Sequence, residues 1–154
     1  MKIEHSANER YRNLTLDPVA ERAPRIARGV CRLLGDMGFA ALTEFKLKSK
    51  RRADVIGVDK ANIFVIIEIK SGLADLRADE KWHEYLDFCD LFYFAVDEAF
   101  PRDRLPTDCG LIIADALGAA IVRDAHHHKL NAARRRTQTL RLAMTAARRA
   151  TAAS

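Results

Sequence analysis

The 154-residue chain lacks several features that mark membrane, secreted and disordered proteins. It contains no continuous apolar run of about 18 residues, the length that a transmembrane helix needs. Its N-terminus lacks the apolar segment of a secretory signal. Hydrophobic residues make up 49% of the chain, which argues against global disorder. We therefore expect a globular protein of the cytoplasm, with no membrane partner.

Cysteine is also scarce, and its spacing excludes two familiar uses. Cys31, Cys89 and Cys109 are odd in number and form no paired CxxC motif, so neither a disulfide framework nor a zinc site is indicated. Cys31 and Cys89 fall on predicted amphipathic helices, where small buried thiols are expected. A reducing compartment fits this usage best.

The length fits one domain with an adequate core, and the pattern predicts an α/β fold. Residues 1–17 are polar and irregular and are expected to be flexible, whereas 18–154 should form the domain. A helix, three strands, a second helix and a fourth strand should be followed by an added β-hairpin and a basic C-terminal helix. The predicted ranges are helix 18–37 with Gly38 as its stop, strands 39–48, 53–58 and 63–70, a helix starting at Asp75 or Asp79 and reaching Phe88, strand 91–96, hairpin strands 111–114 and 119–122, and a final helix of about 18 residues.

Charged residues inside two apolar strands are the most informative feature. Asp54 lies in the strand 53–58, and Glu68 and Lys70 lie in the strand 63–70. Carboxylate and ammonium groups are costly to bury unless they are paired, hydrogen-bonded or bound to a metal. These positions therefore indicate chemistry.

Hairpin geometry decides whether the two acids meet. Glu68 and Lys70 point to the same side because side chains alternate along a strand. A three-residue loop, 60–62, would place Asp54 opposite Glu68, with Cβ atoms about 4.5–5.5 Å apart. A two-residue loop would set Asp54 against Ile67 and put the acids on opposite faces. A shared metal site thus requires an odd loop or a bulge.

If the acids meet, their oxygens would favour Mg²⁺ or Mn²⁺. Such an ion can activate a bound water and stabilise charge on a phosphoryl oxygen, and Lys70 could orient the water or stabilise the transition state. The alternative is a buried ion pair between Lys70 and one of the acids that only fixes strand register.

Two groups of basic residues point to DNA as a partner. One is the connection between the first two strands, and the other is the C-terminal helix, where Leu140, Met144 and Ala147 would form the docking stripe. Solvated polar surfaces are the alternative for both. The predicted DNA-binding residues are Lys48, Lys50, Arg51, Arg52, Arg134, Arg135 and Arg141. Glu44, Lys81 and Glu84 could support the acidic site, although Glu44 could equally pair with a loop arginine.

The set Asp54, Glu68 and Lys70 resembles the core motif of the PD-(D/E)XK nuclease superfamily, with Ala53 where proline is usual. The resemblance implies a restriction endonuclease-like core, α-β-β-β-α-β, with a mixed central sheet flanked by helices. In Holliday-junction resolvases of this fold a glutamate on the first helix completes the acidic site. Glu21, 33 residues before Asp54, matches that arrangement and is implied as a further catalytic residue and metal ligand.

Longer blocks of sequence resemble the MmcB family of bacterial DNA repair proteins. They are residues 26–34, 42–45, 51–55, 68–71 and 81–85. The resemblance implies a DNA repair nuclease that associates with the nucleoid and works with Mg²⁺ or Mn²⁺. A DNA-binding module without catalysis that acts with other repair proteins is the first alternative, and a structural adaptor is the second. A homodimer is a further expectation, since many branched-DNA nucleases must cut two strands.

Overall fold

A six-stranded mixed sheet, in the spatial order β1-β2-β3-β4-β5-β6, forms the centre of the protein. The computed structural model describes residues 19–72 and 81–154. The elements are α1 Val19–Asp36, β1 Ala40–Lys46, β2 Arg52–Val58, β3 Phe64–Ile69, a 3₁₀ helix Trp82–Phe88, β4 Leu91–Val96, a short 3₁₀ helix Arg102–Arg104, β5 Gly110–Ala114, β6 Ala119–Arg123 and α2 Ala132–Ala152.

Strands β1, β2 and β3 form an antiparallel meander, β4 and β5 run parallel to their neighbours, and β6 is antiparallel. The predicted mixed sheet, the parallel return to β4 and the added hairpin are therefore confirmed. The predicted segment 1–17 and the predicted helix starts at Asp75 and Asp79 lie outside the described residues. Within the two described ranges, no helix has the length and apolar character needed to cross a membrane.

Both faces of the sheet are covered, which explains why β3 is apolar on both sides. On one face, Ile26, Val30 and Leu34 of α1 recur every four residues and pack against Val65 and Ile67. The other face carries an aromatic layer under the longer 3₁₀ helix and α2. Its stacked and edge-on rings are Trp82, Tyr85, Phe92 and Phe94.

Helix α1 ends at the predicted glycine. Gly38 has a φ of +89°, a left-handed conformation that glycine adopts without steric penalty. Its N–H donates to the Gly35 carbonyl at 3.1 Å, and the Phe39 N–H donates to the Leu34 carbonyl at 2.8 Å. This is the Schellman arrangement, which satisfies the last carbonyls of the helix and turns the chain into β1.

The β2–β3 loop has the odd length that the metal hypothesis required. Val58 pairs with Phe64 and Val55 with Ile67, so the same register places Asp59 opposite Ile63 and Asp54 opposite Glu68. The Asp59 side chain accepts hydrogen bonds from the N–H groups of Ala61 and Ile63, each at 2.9 Å. Asn62 closes the three-residue loop in the left-handed conformation, φ +62°. Of the two registers that the sequence left open, the structure has the one that places the two acids opposite each other.

The second helix was predicted as α-helical and is a 3₁₀ helix in its described part. Trp82, Tyr85 and Phe88 are its buried residues, and they recur every three residues. That spacing matches the three residues per turn of a 3₁₀ helix, which aligns all three rings toward the sheet. The predicted end at Phe88 is confirmed.

The docking face predicted for α2 is wrong. Leu140 is 62% exposed and Met144 44% exposed, whereas the buried residues of this helix are Gln138 and Leu142. Gln138 donates to the Phe88 carbonyl, so it satisfies the end of the 3₁₀ helix. The face of α2 that packs against the protein thus includes Gln138 and, one turn earlier, Arg135, which pairs with a buried acid.

That buried acid is Asp90, which is fully inaccessible and connects three parts of the fold. Its carboxylate accepts from the N–H groups of Phe64 at 2.8 Å and Leu130 at 2.9 Å, and from both terminal nitrogens of Arg135. Burial alone would raise the pKa of Asp90, but Arg135 and the two N–H groups hold that pKa below its ordinary value. Arg135 is thus held in a buried ion pair, which fixes α2 to the sheet.

The three cysteines are all free thiols. Cys89 and Cys109 are buried, and burial raises the pKa of the Cys109 thiol to about 11. Both Cys31 and Cys89 were predicted as buried thiols; Cys89 is buried, whereas Cys31 is half-buried.

Removing Arg135 should destabilise the fold strongly. Arg135→Ala leaves the Asp90 carboxylate buried without its cation, a change that typically costs about 3–5 kcal/mol. Urea denaturation would measure the free energy of unfolding. The neighbouring exposed Arg136→Ala is the matched control and should change it by no more than about 0.5 kcal/mol. Equal effects of the two substitutions would contradict a structural role for the Arg135–Asp90 pair.

Candidate active site

Strands β2 and β3 separate where Asp54 meets Glu68. The last backbone pair before this point is Val55 with Ile67. Beyond it, the Asp54 N–H donates to Glu68 Oε1 at 3.1 Å, and the Ile69 N–H donates to Asp54 Oδ2 at 2.8 Å. Each carboxylate therefore accepts a hydrogen bond from a backbone N–H of the opposite strand, in the place that a backbone carbonyl takes in a regular ladder. This exchange holds both acids in one fixed arrangement at the end of the ladder.

The two acids lie in an open cleft of about 890 Å³ between α1 and the strand ends. Helix α1 forms one wall, β1 contributes an edge, and β2 and the end of β3 form the floor. The lining residues are Ala23, Pro24, Ala27, Arg28, Cys31, Thr43, Glu44, Asp54, Glu68, Ile69, Lys70 and Ser71. The structure thus brings Asp54, Glu68 and Lys70 together, as the sequence predicted.

Asp54 is held in an environment that disfavours its charge. Burial raises the pKa of the Asp54 carboxyl group above its ordinary value. The Ile69 N–H, the adjacent Glu68 carboxyl group, and the positive charges of Lys70 and Arg52 lower this pKa but offset only part of the effect. A cation placed between Asp54 and Glu68 would favour the ionised form, so ion binding and proton release should be coupled here.

Lys70 follows directly after β3 and is buried. Its backbone N–H donates to the Ala95 carbonyl of β4 at 2.9 Å, which fixes the chain beyond Glu68. Its Nζ atom lies 5.9 Å from the centroid of the Phe94 ring. The ammonium group therefore acts on Asp54 from a desolvated position, where its field is less screened than in water.

The residues of the cleft fit a hard divalent cation. Magnesium is commonly held by one or two protein carboxylates, with water and substrate phosphate completing its shell. Asp54 and Glu68 supply such a pair beside an open cleft. Within residues 19–72 and 81–154, no group of three or more His, Cys, Asp or Glu side chains could hold a metal ion. The carboxylate pair, rather than a larger acidic cluster, is the candidate metal site.

Glu21 does not join this pair. Its side chain is 59% exposed and lies 3.5 Å from Arg25 one turn further along α1. Glu21 is absent from the cleft lining, in contrast to the role implied by the family resemblance. Glu21 lies two turns before Arg28 on nearly the same face of α1, about 10 Å further toward the N-terminus, and its carboxylate is directed to Arg25 rather than to the acids.

Glu44 does reach the cleft. It has a left-handed backbone, φ +51°, and its carbonyl accepts from Arg149 of α2 at 2.9 Å. Its carboxylate lies 4.0 Å from Arg52, so both sequence interpretations of Glu44, proximity to the acids and pairing with a loop arginine, apply together.

The other predicted support residues lie elsewhere. Glu84 forms an ion pair with Arg51 at 2.6 Å, and the Arg51 guanidinium lies 5.1 Å from the Tyr85 ring centroid. Lys81 is exposed immediately before the 3₁₀ helix and does not line the cleft. Glu84 and Arg51 thus connect the β1–β2 loop to the 3₁₀ helix.

The predicted DNA-binding residues separate into two groups. Lys48, Lys50 and Arg52 are exposed on or beside the β1–β2 loop. On α2, by contrast, Arg134 lies 4.9 Å from the Phe88 ring centroid and donates to the Asp87 carbonyl, and Arg141 donates to the Lys46 carbonyl at 3.1 Å. The helix arginines therefore dock α2. Arg134, Arg141 and Lys48 also line a second open cleft of about 720 Å³.

Arg28 and Ser71 line the acidic cleft and were not identified from the sequence. Arg28 could have been identified from its place on the helical wheel of α1. Ala23, Ala27 and Cys31 form a small-residue stripe with a four-residue repeat, and Arg28 flanks it.

Replacing Asp54 by asparagine should stabilise the fold near neutral pH, because it removes a disfavoured buried charge while Asn Oδ1 can still accept from Ile69. An acid whose pKa rises on folding adds stability below its unfolded pKa, about 3.8 here, and loses it as the pH rises through the raised value. The gain in melting temperature of Asp54→Asn over wild type should therefore shrink as the pH falls toward 4. The exposed Asp103→Asn is the control. A gain that is constant with pH would contradict the assignment.

The comparisons with known proteins agree with this architecture. Residues 13–154 match the family of proteins described as "DNA repair protein MmcB-like". A solved structure of a protein of unknown function from Silicibacter pomeroyi is similar, with a TM-score of 0.81 and 44% sequence identity over 85% of this chain and 90% of that chain. No curated protein matches the chain. Since the family match covers nearly the whole sequence, the chain belongs to the MmcB-like family of DNA repair proteins.

Proposed function

We propose that this protein is a divalent-metal-dependent deoxyribonuclease of the PD-(D/E)XK type that hydrolyses DNA phosphodiester bonds during repair. The observation that carries the proposal is the pair Asp54 and Glu68, which lie opposite each other where β2 and β3 separate, with Lys70 in the same cleft. Membership of a DNA repair family supplies the substrate class.

Asp54 and Glu68 would hold Mg²⁺ or Mn²⁺, which when bound activates a water molecule and neutralises charge on a phosphoryl oxygen. Lys70 would stabilise the negative charge that develops on the phosphate as water attacks phosphorus and the leaving oxygen departs. Because the ammonium group is buried beside the acids, it needs no reorganisation to do so. No covalent bond between protein and DNA is required.

Lys48, Lys50 and Arg52 would hold the phosphate backbone beside the acids. Lys48 and Lys50 lie in the loop that leads into β2, and Arg52 is the first residue of β2, two positions before Asp54. Arg134 and Arg141 would add weaker contacts at the second cleft, since their guanidinium groups also bind backbone carbonyls. Arg135 is excluded from this role by its pairing with Asp90. DNA affinity should fall steeply with salt concentration.

The position of Glu21 favours one alternative, a DNA-binding repair module that retains the fold and has weak or no activity. Without Glu21 the acidic centre has two fixed carboxylates, and both already accept backbone N–H groups. Such a module would act with other repair proteins. For either function the protein would work in the cytoplasm, at the nucleoid when bound to DNA, and a homodimer would suit substrates with two strands to cut.

Cleavage assays with Mg²⁺ test the proposal across duplex, nicked, flapped, branched and single-stranded DNA. Asp54→Asn, Glu68→Gln and Lys70→Met should each reduce the rate on the preferred substrate by about 100-fold or more, because the first two remove a metal-binding carboxylate and the third removes the cation that stabilises the reacting phosphate. Glu21→Gln should cleave at the wild-type rate, since Glu21 lies outside the cleft.

Two outcomes would contradict the proposal, the first its active site and the second its activity. Undiminished cleavage in all three cleft variants would assign the activity to other residues or to a contaminant. Wild-type protein that binds DNA but cleaves none of the panel with Mg²⁺ or Mn²⁺ would favour the inactive DNA-binding module. Melting temperatures of the variants would exclude unfolding as the cause of a lost rate.

A further inference from the structure

We propose that Arg28 of α1 contacts a DNA phosphate across the cleft from Asp54 and Glu68, and so forms a phosphate-binding subsite on the helix wall. This inference rests on DNA being the substrate and deepens the proposed function by naming a residue that positions it. Three observations carry it: the fixed placement of α1, the lack of an intramolecular partner for Arg28, and the space beside it.

The placement of α1 is determined by contacts on both sides of Arg28. Gly29 lies so close to the β5–β6 turn that a Cβ atom there would be 2.1 Å from the Asp115 carbonyl oxygen. Arg22 forms a two-pronged ion pair with Asp97 at the end of β4, with distances of 2.6 and 2.7 Å. These contacts fix the rotation of the helix about its axis and its position along it. Arg28 is therefore directed to the cleft by the fold.

Arg28 differs from the other arginines of its helix. Arg22 pairs with Asp97, Arg25 with Glu21, and Arg32 donates to the Leu117 carbonyl. Among the residues of ranges 19–72 and 81–154, Arg28 makes neither a hydrogen bond nor an ion pair, although it lines the same cleft as three acids. An exposed guanidinium group keeps all of its donors for a ligand, and their planar geometry matches a phosphate.

The cleft has room for a phosphodiester beside Arg28. The side chains of Ala23 and Ala27 on the helix wall are small, and the open volume of about 890 Å³ separates that wall from the acidic floor. A bound divalent ion would neutralise the floor, so an entering phosphate would meet Lys70 on one side and Arg28 on the other. Arg28 is thus a substrate-binding residue, with Lys70 closest to the reacting group.

Equilibrium DNA binding measured by fluorescence anisotropy, with Ca²⁺ in place of Mg²⁺ to neutralise the acidic floor and at several KCl concentrations, tests the inference by a readout other than cleavage. Arg28→Ala should weaken binding about tenfold at low salt, since it removes one charge-assisted phosphate contact. The dependence of log affinity on log salt should become shallower by about one. Arg28→Lys should keep the wild-type salt dependence. Melting temperature should not change, since Arg28 supports no part of the fold.

The matched control is Arg32→Ala, one helical turn away. It removes the same charge from the same helix but outside the cleft, and should bind DNA like wild type. Equal losses of DNA affinity in Arg28→Ala and Arg32→Ala, or wild-type affinity in Arg28→Ala, would overturn the subsite.

If Arg28→Ala binds and cleaves DNA normally while Asp54→Asn loses cleavage, the subsite fails and the nuclease proposal stands. If wild type binds DNA without cleaving it, a loss specific to Arg28→Ala still supports the subsite. A wild-type protein that binds no DNA would overturn both.

Discussion

The register of the β2–β3 hairpin is the constraint on which the candidate site depends. A loop of three residues sets it, and Asp59 and Asn62 stabilise that loop through side-chain hydrogen bonds and a left-handed backbone. Helix α2 adds a second restraint, since Arg135 and Thr139 both donate to Asn62. A change of one residue in this loop would move Asp54 to the opposite face from Glu68 and separate the pair. Residues far from the cleft thus determine its chemistry.

Asp90 is buried and Asp54 is half-buried, and their surroundings affect a negative charge in opposite ways. Asp90 is completely enclosed, accepts from two backbone N–H groups and a bidentate arginine, and has a lowered pKa. Asp54 is partly open to a cleft and accepts from the Ile69 N–H, and its surroundings leave its pKa raised. An incompletely compensated acid destabilises the folded state, and such sites are where binding and catalysis are concentrated. This contrast supports the proposal that the acidic pair does more than fix strand register.

Much of this arrangement could be predicted from the sequence, because it follows from local rules. Strand alternation makes the opposition of Asp54 and Glu68 depend on an odd β2–β3 loop, and the rarity of charge in apolar strands indicates that these residues have a chemical role. Side-chain roles that depend on how helices pack could not be predicted. Arg28 lines the cleft, whereas Glu21, two turns earlier on nearly the same face of α1, pairs with Arg25 outside it. On α2, Arg135 pairs with the buried Asp90, and the predicted apolar stripe is exposed. The three-residue spacing of Trp82, Tyr85 and Phe88 was visible, but only packing against the sheet favours a 3₁₀ helix there.

The most direct measurement of the central claim is the position of a divalent ion in crystals grown or soaked with Mn²⁺. Anomalous scattering from manganese identifies the ion independently of any assay of activity. We expect an anomalous peak in contact with the carboxylates of both Asp54 and Glu68, in the cleft that Lys70 also lines. Asp54→Asn crystals should show no such peak. A cleft with no manganese beside these carboxylates, at Mn²⁺ concentrations that fill other surface sites, would contradict it.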